Sequence, residues 1–317
     1  MSGVLISPQL LGITMSFASK ACSVRFARGH RYGQRGLSLL ELMIALVLGS
    51  LLVAGAAKIL VSNSQSFKLQ ENISSTQEAG RLALESILAD LRRAGLGVPA
   101  GTAAVVGTNS STAVAAALPG LLAASDSVSI SYVAVDPSVT PADCSGDAAV
   151  LGDTITNTYQ VAADTNPTIA ALSCTGRVVS GVTGLQTSPV TPVRVVLLRG
   201  VESFQVLYGK GSTVVGGLPG TATSAQAAGN GYQQAVQYVT AGGATPNTPI
   251  ASIRVAFLVR SEAGIQGLSS PQQGISVLDS TVSPTTLAAA IGNNKMTPVH
   301  RFFEGTAALR NTATGTF

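Results

Sequence analysis

The chain is poor in the residues from which most enzyme and metal sites are built. Its 317 residues include no tryptophan and two histidines, His30 and His300. No Cys/His cluster has the spacing of a zinc site. YGKGS (208–212) lacks the glycine that a phosphate loop carries five residues before its Gly-Lys pair. GLGVPAG (95–101) follows no strand pattern, as a dinucleotide fingerprint must, and no G-x-S-x-G elbow occurs. Asp143, Asp147 and Asp153 could offer oxygens to calcium near Cys144, but in a loop they read first as solvated acids. An enzyme is not expected, and no cofactor or metal is.

Charge is scarce as well. Charged residues make up 11% of the chain, which excludes a highly charged disordered polymer. The formal net charge is +4, yet it is unevenly placed. Residues 1–36 hold Lys20, Arg25, Arg28, Arg31 and Arg35 and no acid at all. With those five set aside, 14 basic residues face 15 acidic ones, a net of −1. The basicity therefore belongs to the leading segment, and nucleic-acid binding through general charge is not expected. A local basic patch on the folded part stays open at this level.

Long apolar runs are confined to one place. Mean hydropathy is +0.39 over the chain, and Leu37–Val61 is the one segment long and apolar enough to cross a bilayer. Sixteen uncharged residues separate Glu41 from Lys58, roughly 24 Å of helix at 1.5 Å per residue. Lys58 can snorkel to the interface. The basic residues before the span mark its cytoplasmic side. Gly49 and Gly55 lie inside it, as sites of close helix packing or local melting, or simply as tolerated residues. Residues 1–36 read as a leader, although an unusual one. Its apolar start, Val4–Ile13, is short and contains Pro8, and no A-x-A cleavage site follows, so it is not an ordinary secretory signal. Met15 is an alternative start to Met1.

No proline occurs between Leu37 and Val98, so nothing breaks a helix begun in the span. From Phe67 the pattern turns amphipathic: Ile73, Gly80, Leu84, Ile87, Leu88 and Leu91 share one face. Glu71, Glu78, Arg81, Glu85 and Arg92 lie largely off it. Arg92 and Arg93 suit the negative end of the helix dipole, and Gly95 suits the cap. A helix from Leu37 to Ala94 would be about 87 Å long. GLGVPAGTAAVVGTNSSTAVAAALPG (95–120) reads as a low-complexity loop. Strand patterns follow in SVSISYVAV (127–135), PVRVVLLR (192–199), ESFQVLYG (202–209), ASIRVAFLVR (251–260) and HRFFEGTAAL (300–309), with glycine-rich connections near 211–231 and 241–247. Strands grouped after one long helix predict an α+β fold with an antiparallel sheet packed on the helix. The expected divisions are 1–36 leader, 37–61 membrane half of the helix, 62–95 amphipathic half, and 96–317 a β-rich head.

Cysteine is rare: Cys22, Cys144 and Cys174. If the leader is removed, Cys22 goes with it. Cys144 and Cys174 then remain, as a disulfide or as two buried thiols; export favours the disulfide. A bond between them would close a loop of about 30 residues, about 3.5–4 kcal/mol of stabilisation on the chain-entropy model.

A basic leader ending in Gly36, then Leu-Ser-Leu-Leu-Glu, then an apolar helix resembles the class III signal of type IV prepilins. That resemblance implies cleavage by a prepilin peptidase between Gly36 and Leu37, N-methylation of the new Leu37 amine, and Glu41 as the assembly glutamate at the fifth mature position. SFKLQENISSTQEAGRLALESILADLRRAG (66–95) is similar to the helix of PilW-type minor pilins. DCSGD…NTYQVA…LSC resembles their disulfide loop, and RGVESFQVLYG, IRVAFLVRS and RFFEGTAALRN their late strands. The departures are the long leader, Leu37 where major pilins commonly have phenylalanine, and no helix-kinking proline at Lys58. The last argues against a bulk filament subunit. The resemblance implies a minor pilin that primes type IV pilus assembly and sits at or near the tip. Its partners would be the peptidase, other minor pilins and the major pilin, the inner-membrane assembly platform and the lipid bilayer. It would be held first in the inner membrane with its N-terminus cytoplasmic, then reach the pilus. A J-class pseudopilin of type II secretion shares the leader, helix and sheet. A singly anchored periplasmic enzyme or sensor is the alternative of another class, and it requires no cleavage at Gly36.

Overall fold

The structure, a computed structural model, describes residues 36, 38–99, 102–111, 125–137, 141–164, 169–187, 193–212, 234–244, 250–261, 264–266, 269, 271–284 and 296–311. Most of the leader, with Cys22, and Leu37 lie outside the described residues, as do much of the 95–120 stretch and of the glycine-rich connections.

One helix, α1 (Leu39–Arg93), runs unbroken for 55 residues. Leucine, alanine and the absence of proline sustain it, and Glu41 in its first turn with Arg92 and Arg93 in its last complement the dipole. It stops as the sequence predicts. Gly95 takes a left-handed φ of +79°, its N–H donates to the Ser131 carbonyl, and the Leu96 N–H donates to the Arg93 carbonyl.

After the helix come β1 (Val105–Ser111), β2 (Ser125–Val133), β3 (Thr154–Ala163), β4 (Ala170–Val179), β5 (Arg194–Arg199), β6 (Val201–Ser212), β7 (Gln234–Val239) and β8 (Ile250–Arg260). The short strands β9 (Ile265–Gln266), β10 (Ile275–Val277), β11 (Ser280–Val282) and β12 (Met296–Thr297) precede β13 (His300–Ala308). All pairings are antiparallel. One sheet has the order β1-β2-β3-β4-β5 and a second the order β13-β8-β6-β7. Gly200 alone separates β5 in the first sheet from β6 in the second. Its φ is +75° and a Cβ there would lie 2.6 Å from the Arg260 carbonyl oxygen, so the step between sheets requires glycine.

The chain divides into two compact units, 1–58 and 59–317. Within the second, α1 lays Ala83, Ile87, Leu88 and Leu91 into one core with Tyr159 and Leu172 of the first sheet and Phe204 and Phe257 of the second. Both sheets and the helix thus share a single apolar interior, the α+β arrangement expected. The sheets are also tied by hydrogen bonds at the start of β2. The Asp126 carboxylate accepts from the Val206 N–H at 2.9 Å, and the Ser125 hydroxyl oxygen accepts from the Phe204 N–H at 3.3 Å. On the other face of the second sheet the β10–β11 hairpin covers Ala256 and Leu258 with Val277 and Val282.

Two readings of the sequence are corrected. Part of the 95–120 stretch is strand, not loop: β1 pairs with β2 from Val105↔Ile130 to Ser111↔Ser125. Its glycine disguised it. Gly107 is where the Tyr208 hydroxyl approaches, and a Cβ at 107 would overlap that oxygen. The region around the cysteines is not merely a loop either. It contains β3 and β4, paired in unbroken register from Thr154↔Val179 to Ala163↔Ala170. Inward Ile155, Tyr159 and Val161 alternate with outward Thr156 and Thr158, but an asparagine at the inward position 157 obscured the period.

The helix meets the second sheet at β13. Gly80 lies against the Phe303 ring, which in turn stacks on Phe257 with centroids 5.4 Å apart. A side chain at 80 would strike that ring. Gly80→Leu should therefore destabilise the second unit by about 1–3 kcal/mol, read as a lowered melting temperature. The loss should shrink in a Phe303→Ala background, where the ring is gone.

Candidate functional site

The residues expected to direct processing and assembly stand at the start of α1. Among the described residues Gly36 has no neighbour within 4 Å of the place a Cβ would occupy, and its φ is not left-handed. The fold itself gives no reason for a glycine there. Leu37, expected on the far side of the cut and as the methylated residue, lies outside the described residues. Ser38 precedes the helix, and its carbonyl accepts the Leu42 N–H at 3.1 Å. The spacing Ser38-x-x-Glu41 is that of a capping box, a signal the sequence reading passed over. Glu41 is exposed in the first turn.

Every large apolar side chain from Leu39 to Val61 is more than half exposed, Leu39 at 76% and Leu52 at 75%. This part of the helix is long and apolar enough to cross a membrane. Left in water, such a surface is unstable at roughly 25 cal/mol for each Å² of apolar area, so the first unit requires lipid or other helices around it. Gly49 and Gly55 have open space where a Cβ would be, and nothing among the described residues calls for them.

The head has a polar node of its own. Asp90 projects from the core face of α1, between Ile87 and Leu91, and is 7% exposed. Its Oδ2 accepts from Asn157 Nδ2 and from the Tyr159 hydroxyl, each at 2.6 Å. Its Oδ1 lies 3.5 Å from Arg93 Nη1, and Arg93 also sits over the Tyr132 ring at 5.9 Å. Burial, and then the negative charge of Asp90, push the Tyr159 pKa far above the usual tyrosine range, so the phenol keeps the proton it donates. Tyr132 is raised in the same way, by burial first and Asp90 second.

The disulfide joins this node. Cys144 is bonded to Cys174, thirty residues on, with Cα atoms 6.2 Å apart. The Cys144 N–H donates to Asn157 Oδ1 at 3.0 Å, and Cys174 pairs across the sheet with Tyr159. Asn157 therefore uses its amide nitrogen on the helix and its amide oxygen on the cystine loop. Two of the three acids near Cys144 are occupied by turns. Asp143 Oδ1 accepts the N–H groups of Ser145 and Asp147. Asp153 accepts those of Val150 and Gly181. Among the described residues no group of three or more His, Cys, Asp or Glu could hold a metal ion. Sequence reasoning missed Asp90 and Asn157. The available signal was their position, since each is a polar residue at an apolar phase of its element's period.

Two family models match the chain. One, the type IV pilus-assembly protein W family, covers residues 158–311. The other, the prokaryotic N-terminal methylation motif, covers residues 31–57. Among solved structures, the chain is similar to a type IV-like pilin, TTHA1219 from Thermus thermophilus, at 14% identity. The match spans 74% of this chain and 97% of that one, with a TM-score of 0.37. No curated protein matches the chain.

The Asp90 node yields a graded expectation. Asp90→Ala would leave Asn157 Nδ2 and the Tyr159 hydroxyl buried without an acceptor, at about 1–3 kcal/mol each. Tyr159→Phe removes one bond and leaves Asp90 the other, which should cost about 1.5–3 kcal/mol. Thermal unfolding of the mature chain in detergent should rank the three proteins wild type, Tyr159→Phe, Asp90→Ala. Equal melting temperatures would mean that the node does not hold the helix.

Proposed function

We propose that the chain is a member of the type IV pilus-assembly protein W family, whose model matches residues 158–311, and that it is a minor pilin that primes pilus assembly and sits at or near the pilus tip. It is a structural component of the pilus, not an enzyme. The observation that carries the reading is the bare apolar surface of α1 from Leu39 to Val61, with Gly36 just before it and Glu41 in its first turn.

A peptidase that must close around the scissile bond needs a residue without a side chain beside it, and Gly36 supplies one. Cleavage on the cytoplasmic side releases the leader with Cys22 and leaves Leu37 as the new amino terminus, where methylation follows. The mature protein is then a single-pass inner-membrane protein, held by 37–61, with 62–95 and the head 96–317 outside the cytoplasm. The assembly platform lifts it from the bilayer, and the apolar surface exchanges lipid for the helices of other minor pilins and the major pilin. Glu41 has a place in that exchange. A carboxylate within a span costs about 2–3 kcal/mol near the centre and less toward an end. Pairing with the positive amine of Leu37, its own or a neighbour's, removes that cost in an apolar bundle and sets axial register.

Two substitutions separate the steps. Gly36→Val should leave uncleaved protein in the membrane, seen by N-terminal sequencing; a Leu37 terminus in that variant would defeat the assignment of the cut. Glu41→Ala should still insert and mature, but pilus number should fall while mature protein persists in the membrane. Normal piliation in cells whose sole copy is Glu41→Ala would show that the carboxylate merely reaches the interface.

A further inference from the structure

The two large sheets of the head have four edges among the described residues, and three are interrupted. The pairing of β1 shifts register between Thr108 and Ser111, that of β5 opposite Leu172 and Ser173, and that of β7 opposite Lys210 and Gly211. Such irregularities are a usual guard against edge-to-edge association. The fourth edge, β13, is different. It pairs with β8 in one register over nine residues, from His300↔Arg260 to Ala308↔Ser252, with no shift. It contains neither proline nor lysine.

The direction of its backbone groups follows from its two ends. The Val299 carbonyl accepts from Ser261, and the Leu309 N–H donates to Ala251. In an antiparallel ladder these odd-numbered positions face β8, so the even-numbered ones face away. His300, Phe302, Glu304, Thr306 and Ala308 are therefore the positions whose N–H and C=O groups point outward, and all but the half-buried His300 are exposed. Among the described residues no hydrogen bond is made by those backbone groups, and no strand lies beyond β13. The charges along the strand also differ. Glu304 is paired with Arg254 at 3.1 Å. Arg301, by contrast, has an enclosed Nε without a hydrogen-bond partner, and no carboxylate among the described residues pairs with it.

We propose that the free edge of β13 receives an extended strand from another pilus subunit, with an acidic side chain of that strand meeting Arg301. Rows of alternating donors and acceptors with strand spacing are matched by an extended polypeptide and by no other common partner. A guanidinium with no carboxylate paired to it among the described residues gives the added strand its charge. The proposal rests on the minor-pilin reading, because it takes the partner from the pilus.

The test uses the full-length chain as the sole copy in piliated cells, carrying photoreactive p-benzoylphenylalanine at position 306. The same probe at position 177, exposed on the central strand β4, is the reference. The edge probe should give one covalent adduct, with the linked peptide lying in an extended, acid-bearing segment of another pilus subunit; the reference should give none. Phe302→Pro removes one outward N–H without touching the β8 ladder, and should abolish the adduct while the melting temperature stays unchanged. Should that variant unfold, Arg301→Ala replaces it and should weaken the adduct. No adduct at 306, an adduct to a helix or loop, or one indifferent to these changes in a folded chain overturns the proposal. Pilus loss on deleting the chain is scored separately. A silent probe in cells whose pili need the chain defeats only the edge; pili that persist without the chain defeat the assembly reading.

Discussion

A single buried carboxylate organises the head. Asp90 sits where the apolar face of α1 calls for a leucine, and an ionised group there is stable only if its oxygens are fully used. Asn157, Tyr159 and Arg93 use them. Because Asn157 also receives the Cys144 N–H, one side chain fixes helix, sheet and cystine loop together. Apolar packing alone would let the helix slide or rotate by a turn, since leucine, isoleucine and alanine repeat along its buried face at nearly equal cost. Two short hydrogen bonds to one carboxylate admit a single register. That is the best-attested use of a buried polar group, specificity more than net stability.

The two ends of α1 obey opposite rules. In the head half, each buried position has a partner: Gly80 its Phe303, Asp90 its asparagine and tyrosine, Leu88 its Gly305. In the membrane half no position has one. Gly36, Gly49 and Gly55 meet nothing, and the leucines and valines between are bare. A sequence retains costly features, such as a glutamate at the edge of an apolar run, only where something offsets them. In the first unit the described residues offer nothing of the kind, which is the ground for reading Gly36 and Glu41 toward processing and assembly in the function proposed above.

Legibility followed period. The helix could be read to within a residue of its end because proline was absent and Arg92, Arg93 and Gly95 marked the stop. β2, β6, β8 and β13 were legible because β-branched and aromatic residues alternate cleanly with polar ones. β1 was hidden by Gly107, which exists to admit the Tyr208 hydroxyl, a contact made a hundred residues away in sequence. β3 was hidden by Asn157, whose inward amide makes sense only once Asp90 faces it. Neither exception could be resolved locally, because each polar or small residue is explained by a partner from another element. The start of α1 was the reverse case: Gly36 and Glu41 stand out by spacing alone, and the fold accounts for the glutamate only as a first-turn acid.

The disulfide fits the same logic. Its two cysteines lie on the inward side of the first sheet, next to the asparagine and tyrosine that hold the helix. The bond closes the chain segment running from the cystine loop through β3 into β4, the segment that carries Asn157 and Tyr159. A segment of thirty residues so closed loses much of its unfolded freedom. Asp90 joins α1 to Asn157 and Tyr159, and Cys174 pairs with Tyr159 in that same row, so the helix docks on a cross-linked element and not on a free strand.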